Sequence, residues 1–510
     1  MLLKELVNVP NGDLESYLVD LVKELEVPES RYEAAERSYH SVGEWLGRDG
    51  SKLQGFDPAV YIQGSFRLGT AIRPINESDD YDVDLVCELG VDILSVTQEE
   101  LKALFKDELA AYAKAHGMEA PSEGRRCVTL NYADGAQFHL DVLPAVPDGT
   151  RKVQALAMES LNTDWAETAI AITDQDHPRF RFKTAAWPHS NPKGFSNWFQ
   201  HCMRKVFEAR RQALALEARA SVEDIPVHAV KTPLQAAIQI MKRHRDMMFK
   251  DRPEEKPISV IISTLAARAY GSDATISAAL GTILNGMRGY IENREGVLWI
   301  ANPTDPKENF ADRWQAHPER QAAFFEWAEK ARSDFADASS QHSRKLLVEA
   351  TESWAGAAAR RAGHQGKPPA ASSWLATRIN KAVTWAHRQK APWQVYKSGS
   401  VAISCVATRR GFRPTDIPSN GLALAKGTDL RFIANTGVQP PFDVYWQITN
   451  TGDEAATANA LRGDFSKGVV RDEIVHTETA AYRGPHSIEC FIVKGGYLAA
   501  SSGHFIVNVA

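Results

Sequence analysis

Residues Tyr61 to Glu88 read YIQGSFRLGTAIRPINESDDYDVDLVCE, and the fold is decided here. Gln63-Gly64-Ser65 offers a tight backbone turn with a hydroxyl beside it, the makings of a phosphate cradle. About a dozen and a half residues later, Tyr81-Asp82-Val83-Asp84-Leu85-Val86 alternates with period two and predicts a strand. Residues two apart on a strand share a face, so Asp82 and Asp84 converge on one side while Val83 and Leu85 turn to the core. Two hard oxygen donors side by side suit Mg²⁺ or Mn²⁺.

Downstream, RCVTLNY (Arg126 to Tyr132) and AQFHLDVLPAV (Ala136 to Val146) alternate in the same way, and Ala133-Asp134-Gly135 between them predicts a hairpin turn. The second strand brings a third carboxylate, Asp141. Two ions held about 3.5–4 Å apart need a bridging ligand and several further oxygens, and three strand-borne carboxylates supply that core. One ion would activate an attacking hydroxyl and the other would neutralise a triphosphate, as phosphoryl transfer requires. His139 is assigned to the strand face opposite Asp141 and to a structural role. Upstream, residues 12–26 and 28–47 carry helical periodicity, and QEELKALFKDELAAYAKAHG reads as a helix ended by Gly117.

At 510 residues and roughly 150 residues per domain, the chain should hold about three domains. Hydrophobic residues make up 44% and charged residues 24%, without an apolar run long enough to span a bilayer, so no membrane partner is expected. The first residues lack the apolar segment of a secretory signal, and a cytoplasmic location is the expectation. Five scattered cysteines show no zinc-ligand spacing and read as reduced, structural thiols. A net charge of −5 argues against a stable nucleic acid complex. Domain boundaries are drawn at 1–205 for the core with its N-terminal helices, 206–354 for an all-helical lobe, 355–392 for a linker and 393–510 for a β-sandwich. The linker rests on the small, basic, Pro/Gly-bearing text after Ala355, and the sandwich on alternation in VAISCVAT, TDLRFIAN, FDVYWQITN, HSIECFIV and HFIVNVA.

Taken together, Gln63-Gly64-Ser65, Asp82-x-Asp84 and a lone later Asp141 resemble the polymerase-β type nucleotidyltransferases. The WPHSNPKGF segment with Trp198-Phe199, LQAAIQIMKRHRDMMF and KPISVIISTLAARAY narrow the resemblance to the cGAS/DncV-like enzymes over roughly residues 12–300. The resemblance implies an α+β fold: a polymerase-β-like core with an all-helical second lobe closing the active-site cleft. It implies that Gln63, Gly64 and Ser65 bind the donor triphosphate, with Lys242 and Ser259 as phosphate clamps from the helical lobe. Asp82, Asp84 and Asp141 would be catalytic and hold two Mg²⁺ ions, or Mn²⁺ in their place.

At the other end, YWQITNTGDEA (Tyr445 to Ala455), Leu461-Arg462-Gly463-Asp464-Phe465, Glu478-Thr479-x-x-Tyr482 and HSIECFIV (His486 to Val493) resemble the adenylyl/guanylyl cyclase and SMODS C-terminal sensor domain, an Ig-like β-sandwich. Its Asn450-Thr451-Gly452 turn and Arg462 are ligand candidates, while Trp446, Tyr445 and Phe465 read as sandwich core. The combination implies a second-messenger synthase of bacterial anti-phage (CBASS-type) signalling. It would join nucleoside triphosphates into a cyclic or short linear oligonucleotide, with a small ligand at the sensor domain and a downstream effector bound by the product. Two rival readings keep the same residues: a toxin-like transferase adding nucleotides to RNA 3′ ends or protein, and an idle ligand-binding sensor.

Overall fold

The computed structural model describes residues 12–76, 81–132, 138–218, 230–364, 388–389, 391–394, 399–419, 423–451, 453–470 and 473–510. The chain divides into two compact units, Met1–Val206 with Lys231–Gly366, and Phe207–Val230 with Lys367–Ala510.

The first unit opens with helices α1 (Gly12–Leu25) and α2 (Glu29–Gly47), strand β1 (Ala59–Ile62), the short helix α3 (Gly64–Leu68) and strand β2 (Tyr81–Glu88). Helix α4 (Gln98–Ala115) follows, then β3 (Ser122–Glu123), β4 (Val128–Asn131), β5 (Phe138–Pro147), α5 (Gly149–Met158), β6 (Ile170–Ile172), β7 (His189–Ser190) and α6 (Pro192–Ala218). The strands form one mixed sheet in the order β1-β2-β5-β4-β3, extended by β6 on β5 and β7 on β6. β2 and β5 run parallel at its centre, and β1 and β4 flank them antiparallel. Val83, Leu85, Leu140 and Val142 are buried, as the alternation requires. The pairing of β4 with β5 bears out the predicted hairpin partners; its turn, Ala133-Asp134-Gly135, lies outside the described residues.

The helical half of this unit comprises α7 (Pro233–Met248), α8 (Ser259–Ala269), α9 (Ile276–Gly286), α10 (Pro318–Ser339), α11 (Arg344–Ala355) and α12 (Ala357–His364). A capping box sets the start of α7: the Thr232 hydroxyl accepts from Gln235 N–H while the Gln235 side chain accepts from Thr232 N–H, with Pro233 in the first turn. Residues 292–309, expected to be helical, instead form two small hairpins, β8 (Glu292–Arg294) with β9 (Val297–Trp299) and β10 (Ala301–Asn302) with β11 (Asp305–Asn309).

Two boundaries differ from the sequence reading. Residues 355–364 are not linker, because Ala355, Ala358, Ala359 and Ala362 are buried in the helical core. Small side chains that look like linker composition here permit close helix packing. Helix α1 also joins that core, through Tyr17, Leu18 and Leu21 beside Ile238, Met241 and Trp354, rather than the mixed sheet. Among the described residues no helix is long and apolar enough to cross a membrane.

The second unit holds β12 (Val401–Arg409), β13 (Phe412–Ile417), β14 (Asp429–Thr436), β15 (Asp443–Thr449), a short helix α13 (Asp453–Thr457), β16 (Arg462–Lys467), β17 (Ile474–Thr479), β18 (Gly484–Lys494), β19 (Tyr497–Ser501) and β20 (Phe505–Val509). One sheet runs β13-β12-β14-β17, and a second runs β16-β15-β18-β19 with β20 also on β18. Val401, Phe432, Trp446, Ile488 and Val507 share one core drawn from both sheets, so the unit is a two-sheet antiparallel sandwich. Trp446 is fully buried there as expected. Tyr445 and Phe465 instead gather with Trp393, in a cluster separate from that core.

Candidate active site

The register of β2 on β5 sets Asp84 directly beside Asp141, and Asp82 beside His139. Neighbours in register on parallel strands point the same way, so the three carboxylates share one face of the sheet. Asp82 is exposed, and Asp84 and Asp141 are half-buried. The Thr129 hydroxyl, on β4 opposite Asp141, donates to Asp141 Oδ1 at 2.5 Å. Burial pushes the Asp84 carboxyl up to about 6, with Asp141 and Asp82 adding repulsion and the Lys242 ammonium pulling the other way. A carboxylate crowded by two others is one that a cation would stabilise.

The turn before β2 is tied to this face. Gln63 N–H donates to the Asp84 carbonyl at 2.8 Å, and Gly64 sits at φ +64°. A Cβ on Gly64 would lie 2.2 Å from Asp84 Oδ2, so the turn and the carboxylate fit only because residue 64 has no side chain. Ser65 begins the short helix, and its carbonyl accepts from Thr70 N–H at 3.0 Å.

Lys242 and Ser259 are placed differently from a pair of open phosphate clamps. Lys242 is buried, and its Nζ donates to the carbonyl and hydroxyl of Thr70 at 3.0 and 3.2 Å, on the segment that follows the turn. Burial, reinforced by Arg245, lowers its pKa to about 7. Ser259, in the first turn of α8, accepts from Arg245 Nη1 at 2.8 Å. The structure thus brings Gln63, Gly64, Ser65 and the three Asp together directly, Lys242 through Thr70, and Ser259 only through Arg245.

Comparison with known proteins agrees with this geometry. Residues 58–144, which contain the turn and all three carboxylates, match the family described as "Cyclic GMP-AMP synthase DncV-like, nucleotidyltransferase domain". That segment is similar to the nucleotidyltransferase domain of the DncV-like enzymes. Residues 383–510 match "Adenylyl/Guanylyl and SMODS C-terminal sensor domain". A c-di-GMP synthase of Roseivirga ehrenbergii is 28% identical over 334 residues, 64% of this chain and 80% of that protein. The cyclic dinucleotide synthase CdnG of Bradyrhizobium diazoefficiens is 27% identical over 319 residues, 59% of this chain and 70% of that one. The structure of that organism's CdnG in complex with GTP superposes with TM-score 0.52 at 22% identity, covering 68% of this chain and 98% of that one.

DncV-like nucleotidyltransferases use divalent metal ions. The donor set here suits such ions, being all carboxylate oxygen with Asp84 held above the usual carboxylate range. Among the described residues, no three His, Cys, Asp or Glu side chains already stand in a metal-binding cluster. The fit therefore lies in the chemistry of this nucleotidyltransferase's acidic face.

His139 corrects the sequence reading. It is two residues from Asp141 and so lies on the same face, beside Asp82, with Nδ1 at 2.9 Å from Asn131 Oδ1. Thr129 was missed, although the alternation of VTLN opposite HLD placed it across from Asp141. In the sensor domain a cavity of about 740 Å³ opens between the two sheets. Asn450, Arg462, Glu478, Tyr482 and His486 reach it from separate segments, over an apolar floor that includes Phe432.

Proposed function

We propose that this chain is a divalent-metal-dependent nucleotidyltransferase that joins nucleoside triphosphates into a cyclic oligonucleotide with release of pyrophosphate. The observation that carries the reading is the register of Asp84 on Asp141, with Asp82 on the same face and the Gly64 turn packed against Asp84. The named relatives point to a cyclic dinucleotide, and to GTP as a substrate. Anti-phage signalling of the CBASS type and a cytoplasmic location complete the proposal.

Asp82, Asp84 and Asp141 would hold two Mg²⁺ ions, or Mn²⁺, which when bound supply charge to the triphosphate and acidify the attacking hydroxyl. The turn presents the Gly64 and Ser65 main chain and the Ser65 hydroxyl to the donor phosphates, with Gln63 alongside. Thr129 orients the Asp141 carboxylate. Lys242 sets positive charge beneath the turn, and Ser259 lines the helical side. In each transfer a ribose hydroxyl oxygen gives up its proton to solvent and bonds to the donor α-phosphorus, the bond from that phosphorus to the oxygen bridging to the β-phosphate breaks, and pyrophosphate leaves. A second transfer within the linear product closes the ring.

The cavity of the sandwich, which we assign an immunoglobulin-like arrangement, would receive a small regulatory ligand. Its size falls in the range of small-molecule sites. The paired Arg462 and Glu478 at its wall favour a ligand with little net charge.

Purified full-length protein incubated with labelled ribonucleoside triphosphates and Mg²⁺ should yield a phosphatase-resistant small product that the Asp82→Asn/Asp84→Asn variant does not make. Label appearing instead on RNA or protein would refute cyclic oligonucleotide synthesis in favour of macromolecular transfer.

A further inference from the structure

Helix α7 presents a row of side-chain donors to the main chain just beyond the phosphate-binding turn. Lys231, immediately before the helix, donates to Gly69 O at 3.0 Å, and Gln235 Nε2 donates to Leu68 O at 2.9 Å. One turn on, Gln239 Nε2 donates to Ala71 O at 2.8 Å, and Arg243 Nη2 donates to Arg73 O at 2.5 Å and Pro74 O at 3.3 Å. Positions 235, 239 and 243 fall four apart and so lie on one helix stripe, with Lys231 ahead of its first turn. With Lys242 on Thr70, the carbonyls of Leu68, Gly69, Thr70, Ala71, Arg73 and Pro74 all accept from this one row.

Residues 70–74 form neither helix nor strand, so their conformation is imposed from outside. The fit is close: Gly69 has φ +66°, and a Cβ there would lie 2.6 Å from Gln235 Nε2. Gln239 is fully buried, and among the described residues its Oε1 has no hydrogen-bond partner. A buried amide oxygen left unsatisfied works against stability, and a methionine of similar length would avoid it. What the glutamine gains is its bond to Ala71. From there the constraint runs to the turn through Thr70 N–H on the Ser65 carbonyl, and to the carboxylates through Gln63 N–H on the Asp84 carbonyl.

We propose that this donor row is the template that sets the Gly64-Ser65 turn, and that Gln239 and Arg243 are positioning residues for nucleotidyl transfer that act without touching substrate. The proposal rests on the nucleotidyl transfer reading above.

The test uses the full chain with GTP and Mg²⁺, in steady-state rates and in amide hydrogen exchange of residues 64–74. Gln239→Met and Arg243→Met should each lower kcat by roughly 10- to 100-fold, the scale of a misplaced reacting group, with a smaller change in KM. Both should speed exchange in that segment while the protein stays folded. Arg243→Lys, which keeps a donor, should recover most of what Arg243→Met loses. Thr264→Val on α8 removes a buried hydroxyl that has no partner among the described residues, and should leave rate and exchange as they were. Wild-type kcat and exchange in both methionine variants would overturn the proposal, as would losses that merely follow the unfolded fraction. Hydrogen exchange judges the template even without turnover, so a wild type that yields no product refutes the transfer reading separately.

Discussion

Replacing Gly64 with alanine tests how far the turn and the carboxylate face form one object. The added Cβ would stand 2.2 Å from Asp84 Oδ2, so the carboxylate must retreat by about 1 Å to regain ordinary contact. Residue 64 also keeps a left-handed backbone, φ +64°, which costs an L-residue about 1–2 kcal/mol. Set against a domain stability of about 5–15 kcal/mol, that loss leaves the protein folded. A displacement of about 1 Å at a catalytic group, by contrast, lowers the rate on the order of 100-fold. The catalytic effect should therefore dominate. Product formation from labelled GTP, followed beside a thermal melt, should show kcat down about 100-fold with only a modest fall in Tm. A Gly64→Ala protein with kcat within about threefold of wild type would refute the claimed contact between turn and carboxylate.

Three further outcomes follow from the same geometry. Asp84→Asn should abolish turnover yet raise Tm in EDTA, because it removes one of three crowded carboxylates; a lowered Tm would contradict the repulsion inferred at Asp84. Thr129→Val removes the hydroxyl on Asp141 Oδ1 and should raise the Mg²⁺ concentration needed for half-maximal rate by about 10-fold or more, as loss of a bond to a metal-holding group does. Lys242 has its pKa lowered in the folded state, so its charge opposes folding fully below about 7, and that penalty fades as pH rises toward the unfolded value of 10.5. The Tm difference between Lys242→Met and wild type should accordingly favour the variant most at neutral pH and below, and shift toward wild type as pH rises toward 10; a difference independent of pH would contradict the burial of this ammonium.

Much of the site is legible in the chain itself because strand geometry is local. Alternation alone places Asp82 and Asp84 together, and the flanking apolar residues of HLDVL place Asp141 on a core strand. The same rule puts His139, two residues from Asp141, on the face of that carboxylate. Composition misled where burial depends on neighbours: the alanines of 355–364 look like a linker until α1 and α11 are packed around them. Trp446 could be read as core from its strand, whereas the gathering of Tyr445 and Phe465 around Trp393 depends on how distant segments meet.

By itself, the sequence determined the carboxylate face, the glycine turn and the two kinds of domain, since each rests on periodicity or on a residue's own backbone freedom. Only the tertiary structure decided that Asp84 stands in register with Asp141, that Lys242 is spent on Thr70, and that Gln235, Gln239 and Arg243 grip residues 68–74. The α7 donors and their carbonyls lie about 170 residues apart in the chain, and a hydrogen bond between a side chain and a distant carbonyl leaves no periodic trace in either segment.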